Sequence, residues 1–426
     1  MTAEGMDRRL FFKGLGWAGA AVASSSLLAS CAKDEETAPG GQASAAESVD
    51  AEAVTLVSLF GTSGSQAELG QEGVEGLALV PESMGGTVID RPIDIVGYDT
   101  QEAIDDAVRR TRESISGGAN LFVGALLSST ALAIGEEVNK SGGIFLTTAG
   151  ADELTGSECR EAVFRWSVAT YGAIQETVRP MIEADDSLQR WYTITPDYVF
   201  GQALLTAAED VFADLGVEHV GNSFHGLDAT EFSGYINNAV AADPDVLCIL
   251  NFGAQSTTTI QQAVAFGVKN QMKILLAWSG GLSQFKALGA ETMEGIYVGA
   301  QYWHTVDAPA NREFVELFRA EYDRNPSYAH AGGYISGRLI LEGVAASGST
   351  EPTEIMAALE GMEYEGLTGP ETIRAEDHQV IKDYYLMVGK AEADMDDEDD
   401  MMEIISSGQS AQPIESTGCT LEPMAT

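Results

Sequence analysis

Leu121-Phe122-Val123-Gly124-Ala125-Leu126-Leu127-Ser128-Ser129-Thr130 and, a short way on, Ile144-Phe145-Leu146-Thr147-Thr148 are the stretches that decide the fold. The apolar run 121–125 is too short for a helix and reads as a strand. Residues 130–139 then place apolar side chains at helical spacing, and 144–148 is a second apolar run. Strand, crossover helix and strand in that order imply two parallel strands of one sheet. Working outward, the same alternation precedes it: strand 55–60, helix 67–82, strand 93–98 and helix 101–116. It restarts downstream with strand 191–195, helix 202–214, strand 219–224, helix 231–241, strand 246–251, helix 257–266 and strands 274–278 and 296–301. The chain is therefore expected to be α/β, with two doubly wound parallel-sheet lobes and a cleft between them. Helices over 311–322, 328–346 and 353–362 and late strands over 367–373 and 383–388 complete the pattern.

The first thirty-one residues carry a different signal. Arg8-Arg9-Leu10-Phe11-Phe12-Lys13 precedes a run rich in Ala, Gly and Ser, which ends in Leu28-Ala29-Ser30-Cys31. That run, 14–30, is short and weakly apolar beside the roughly 20 apolar residues a membrane span needs. The twin arginine resembles a Tat export signal, and the small residues before Cys31 resemble a lipobox. The resemblance implies cleavage before Cys31, lipid attachment there, and a protein held at the outer face of the cell membrane. Residues 31–52 have no apolar period and read as a disordered tether.

Composition narrows the function classes. With 65 acidic and 23 basic residues the formal net charge is -42. Such a chain repels nucleic acid and anionic lipid surfaces. The acids are spread along the whole chain and hydrophobic content is an ordinary 45%. This looks like the surface of a halophile, so a haloarchaeal source and loss of structure at low ionic strength are expected. Of the four cysteines, Cys248 lies inside an apolar run and reads as a core thiol. Cys159 and Cys419 sit in polar, turn-like segments, and in an exported protein they are expected to pair.

No Walker loop, dinucleotide fingerprint, HExxH or CxxC occurs, and the five histidines lack metal-ligand spacing. The acidic segment 391–400 lacks the glycine and ligand spacing of an EF-hand. No catalytic residue, metal or cofactor is expected. In open α/β sheets ligands sit where strands end and helices begin. The candidate binding residues are accordingly Ser128, Ser129 and Thr130; Thr148, Ala149 and Gly150; Tyr198 and Phe200; Phe252; and Trp278. The hydroxyls can cap helices as easily as they can hold a carboxylate. Gly150 would let a ligand approach the backbone closely.

Several segments, in order, resemble the branched-chain amino acid class of ABC-transporter solute-binding proteins, which have a type I periplasmic-binding fold. They are Gly70-Gln71-Glu72-Gly73-Val74-Glu75-Gly76, Leu146 to Thr155, Val163-Phe164-Arg165, Asp197-Tyr198-Val199-Phe200-Gly201, Asp307 to Asn311, and Tyr364 to Pro370. The likeness spans roughly residues 54–390. It implies two lobes joined by a crossover hinge: 53–167 with 304–362, and 168–303 with 363–390, followed by an acidic loop and C-terminal tail over 391–426. It also implies a monomer that captures a small carboxylate or amino-acid-like solute and delivers it to an ABC permease with its ATPase. The alternative is a ligand-sensing receptor domain of the same fold that signals to a membrane partner. By matching position, Ser128 or Ser129 and the loop 148–150 would hold the ligand carboxylate. The chain departs from typical members at Gly150 (Thr in them), at Phe200 (Tyr) and at Trp278-Ser279-Gly280-Gly281, where they place a glutamate against the ligand ammonium. A buried ammonium without a counter-charge is costly. The aromatic edges Phe200, Phe252, Trp278 and Trp303 would instead suit a flat carboxylate.

Overall fold

The computed structural model describes residues 52–64 and 66–424. The readings made for the export signal, Cys31 and the tether lie outside these residues, apart from Glu52.

Strands β1 (Val54–Leu59), β2 (Thr87–Val88), β3 (Arg91–Gly97), β4 (Leu121–Gly124), β5 (Ile144–Thr147) and β6 (Val163–Arg165) form the first sheet. Its order is β2-β3-β1-β4-β5-β6. All pairs are parallel except β2 with β3. β1 reads Val-Thr-Leu-Val-Ser-Leu and is buried at every position, as a parallel strand covered on both faces must be. Helices Ile104–Ser116 and Ser128–Ser141 cover one face. Helices Ala67–Ala78 and Tyr328–Ser347 pack together and cover the other. The last of these returns from late in the chain, and Ser327 and His330 form a capping box at its start.

Strands β7 (Arg190–Pro196), β8 (Glu218–His225), β9 (Val246–Ile249), β10 (Lys273–Leu276) and β11 (Tyr297–Ala300) build the second sheet. Three short strands, β12 (Glu363–Gly366), β13 (Gly369–Ile373) and β14 (Val380–Ile381), pair only with each other. β15 (Tyr384–Gly389) and β16 (Met402–Gly408) then rejoin the second sheet, whose order is β16-β15-β11-β10-β9-β7-β8. β11, β15 and β16 pair antiparallel and the rest parallel. Residues 363–381, where a late strand was expected over 367–373, form a small sheet of their own beside helix Pro309–Tyr322. The segment read as acidic loop and tail contains the edge strand β16. The helix expected over 67–82 also breaks into Ala67–Ala78 and Val80–Ser83, with Pro81 starting the second piece.

In each sheet the strand order reverses direction at one point, between β1 and β4 and between β7 and β9. Both crevices open at the carboxyl ends of the strands, where doubly wound folds bind ligands. The chain crosses between the sheets three times, after β6, after β11 and after β14. Buried side chains join these crossings. Gln301 holds both the amide of Val168 (2.9 Å) and its carbonyl (3.0 Å). Gln379 Nε2 donates to Ser167 O at 2.8 Å, and Lys382 Nζ donates to Gln301 O at 2.7 Å. The Lys382 ammonium also lies 4.4 Å from the Trp166 ring centroid.

Candidate ligand cleft

The loop after β5 is the most tightly specified part of the first lobe. Its carbonyl groups all accept protein hydrogen bonds. Thr148 O takes the Tyr328 hydroxyl at 2.8 Å, Ala149 O takes Ser167 Oγ at 3.0 Å, and Gly150 O takes the Thr170 amide at 2.9 Å. Ala151 O accepts from the Arg165 guanidinium, which also reaches Gly150 O at 3.2 Å. Arg165 is 1% exposed and further contacts Thr155 Oγ1 and, at 2.7 Å, Gln379 Oε1. Burial pulls its pKa down to about 10. The amides of Ala149 and Ala151 donate to Thr147 Oγ1 (3.2 Å) and Ser128 Oγ (3.1 Å). The amide of Gly150 has no hydrogen-bond partner among the described residues, which leaves a donor at the crest of the loop.

The second lobe meets this crest with aromatic rings. Phe200, at the start of helix Val199–Leu215, packs edge-on against Trp278 (centroids 5.2 Å apart) and Phe252 (6.2 Å). Tyr198 adds a ring 5.9 Å from Phe200, and Tyr328 lies 6.4 Å from Phe252. Burial pushes the Tyr198 and Tyr328 phenols well above their ordinary range, so both stay neutral donors. A Cβ built on Gly150 would lie 2.6 Å from Trp278 Cη2 and 2.7 Å from Phe200 Cε2. The two lobes therefore touch at Gly150, and only a residue without a side chain fits there. A second contact joins them nearby. Gln66, at the start of helix Ala67–Ala78, has its Oε1 3.2 Å from the Ala254 amide, in the first turn of helix Gly253–Ala265. Gly253 has φ +61, and an added Cβ would lie 1.7 Å from that oxygen. Glu102 Oε1 in turn accepts the Gln66 amide at 2.6 Å.

The sequence-derived candidates thus separate by role. Gly150, Phe200, Phe252, Trp278 and Tyr198 come together, with Ala149 buried beside them. Ser128 is buried and its hydroxyl braces the loop. Ser129, half-buried at the start of helix Ser128–Ser141, is the more open hydroxyl. The Thr130 and Thr148 hydroxyls are buried without partners, and Thr148 faces Gly332 of helix Tyr328–Ser347. Trp303 lies apart from the ring cluster, packed on Phe285 and His304 in the core of the second lobe. Cys159 and Cys419 are disulfide-bonded, with Cα atoms 5.6 Å apart, and Cys248 is a buried free thiol. Sequence reasoning missed Gln66 and the bracing role of Arg165. A guanidinium inside the apolar run Val163-Phe164-Arg165-Trp166 was the available signal for the latter.

Two α/β lobes, joined by three crossings and meeting at the carboxyl ends of their strands, are the architecture of a two-lobed ligand-binding protein. A family model described as periplasmic binding protein matches residues 53–394, and the chain belongs to that family. Its relatives include the Leu/Ile/Val-binding protein homolog 4 of Brucella melitensis, 25% identical over 301 residues, which are 67% of this chain and 71% of that one. Among solved structures, an amino acid ABC transporter substrate-binding protein from Pseudomonas fluorescens is 51% identical, with TM-score 0.84 over 88% of this chain and 100% of that one. An ABC-transporter solute-binding protein of R. palustris in complex with benzoate is 25% identical, with TM-score 0.77 over 87% and 100% of the two chains. The two solved structures are substrate-binding proteins of ABC transporters, a class that is not enzymatic. The family implies an extracytoplasmic location. No helix among the described residues is long and apolar enough to cross a membrane.

Proposed function

We propose that this protein captures a small carboxylate or amino-acid-like solute between its lobes and delivers it to an ABC permease with its ATPase. The reading is carried by the meeting of the Gly150 loop with the rings of Phe200, Phe252 and Trp278. The Gly150 amide and the first turn of helix Ser128–Ser141, with Ser129, would take the carboxylate. The rings of the second lobe would take the apolar part. Flat carboxylates such as benzoate suit this arrangement better than an α-amino acid, because the stretch Trp278-Ser279-Gly280-Gly281 offers no carboxylate to an ammonium. The benzoate-bound relative supports the same ordering.

The anchor is part of the reading. Lipid on Cys31 after Tat export would hold a monomer near its permease. Cys31→Ser should release the protein from the membrane, and continued membrane attachment would refute the anchor. The ligand is tested by a thermal-shift screen in concentrated KCl with L-leucine, L-isoleucine, L-valine, small amides, benzoate and 4-hydroxybenzoate. Benzoates should raise Tm more than the amino acids do. Strong stabilisation by leucine alone would overturn the preference for a flat carboxylate, and chemical turnover of a bound solute would overturn the assignment altogether.

A further inference from the structure

Glu72 lies on helix Ala67–Ala78 of the first lobe and is 5% exposed. Its surroundings come from both lobes. One turn earlier on the same helix, Leu69 Cδ2 sits 3.5 Å from where a Cβ on Gly280 would be. Ser283, from the same stretch of the second lobe, lies close enough to the Glu72 carboxyl for its hydroxyl to act on it. That stretch is held down on the first lobe at two further points. Ser327 Oγ donates to Gly280 O at 2.9 Å, and the Ser283 amide donates to Ser327 Oγ at 3.3 Å. Residues 280–283 therefore form the lid over Glu72.

No lysine or arginine among the described residues forms an ion pair with this acid. His330 Nδ1 is 3.7 Å from Glu72 Oε2, but it accepts the Ser327 amide at 2.9 Å. That bond makes Nδ1 an acceptor, and Nε2 lies 3.2 Å from Glu75 Oε2 and 3.0 Å from Arg324 Nη1. Burial lowers the histidine's pKa and keeps it neutral. Arg324 is committed to Glu75 and lies over the rings of Phe318 and Tyr322. Of the other charges acting on Glu72, Glu68 and Glu75 are of the same sign and raise its pKa, and the opposing effect of Arg324 is smaller than that of burial. Glu72 Oε2 itself has no hydrogen-bond partner among the described residues. A buried carboxylate in this setting is held neutral, and burial pushes its pKa up to about 8.

We propose that Glu72 is a protonation-linked latch: the lobes close over it with its carboxyl neutral, so closure takes up a proton that opening releases. The proposal rests on the two-lobed closure of the binding reading. Once the Ser283 lid lifts, water reaches the acid and its pKa falls back toward the ordinary glutamate range. The closed state then binds the extra proton, so its share drops as pH rises from that range through about 8.

The test needs no solute. Small-angle scattering of the full chain in concentrated KCl should give a larger radius of gyration at pH 9 than at pH 6. Glu72→Gln, which is neutral at both, should stay compact at both. Ser283→Ala keeps the acid but removes a hydroxyl that lowers its pKa, so its transition should move to higher pH. This variant also serves if Glu72→Gln does not fold. An equal pH response in wild type and Glu72→Gln, or none in wild type, would overturn the latch. A solute screen without hits would refute the binding reading and leave these curves unaffected.

Discussion

Replacing Gly150 with alanine adds one methyl group at the point of closest approach between the lobes. Gly150 is not among the glycines with positive φ, so alanine adds no backbone strain and the steric effect stands alone. The new Cβ would lie 2.6 Å from Trp278 Cη2 and 2.7 Å from Phe200 Cε2. Carbon atoms prefer about 3.5–4.0 Å, so roughly an ångström must be found. The rings cannot easily supply it. Trp278 and Phe200 pack edge-on at 5.2 Å, and Trp278 is backed by Tyr384 at 5.9 Å. The lobes must separate instead. Overpacking of this kind costs about 1–3 kcal/mol. The cost falls on the closed state alone, so solute affinity should weaken by about 5- to 150-fold. Isothermal titration with the solute chosen by the thermal screen reads this directly. Adding Trp278→Phe removes the clashing benzo-ring atoms and should restore part of the loss, as a double-mutant cycle. Wild-type affinity in Gly150→Ala would mean that the lobes do not meet there when solute binds.

The other predictions concern stability. The Cys159–Cys419 bond spans 260 residues, for which chain entropy alone gives about 5.6 kcal/mol as an upper limit. Reduction or Cys419→Ser should lower Tm and free the tail to proteases, and an unchanged melt under reductant would show that the tail docks without the bond. A formal net charge of -42 should unfold the protein as KCl is dialysed away, and a flat circular-dichroism signal down to millimolar salt would refute the halophilic reading. Burial pulls the Lys382 pKa down to about 8, below its ordinary 10.5. Between those values the unfolded chain binds the extra proton, so stability relative to Lys382→Met should rise with pH through that window. Parallel denaturation curves at pH 8 and 10 would sink that expectation.

The parallel strands of both lobes were legible because they are buried on both faces. Val246–Ile249, like Val54–Leu59, is buried at every position, so burial writes a continuous apolar run into the chain. β16 was not legible. Met402–Gly408 is mostly exposed, follows an acidic loop and holds its place by pairing with β15, which no local pattern records. The cleft shows the same division. Gly150, Phe200, Phe252 and Trp278 could be found because strand ends are where this topology puts ligands. Gln66 and Glu72 could not, because their roles exist only against Ala254 and Ser283 in the other lobe. Arg165 stands between these cases. Its charge inside an apolar strand was visible, yet its purpose lies in its acceptors. A guanidinium that holds Gly150 O, Ala151 O and Thr155 Oγ1 turns the loop's carbonyls inward, while Gln379 ties the same group to the third crossing. Gly150 itself meets the second-lobe rings in that arrangement. The position of the loop's crest and the path of the chain between lobes are thus set by the same buried charge.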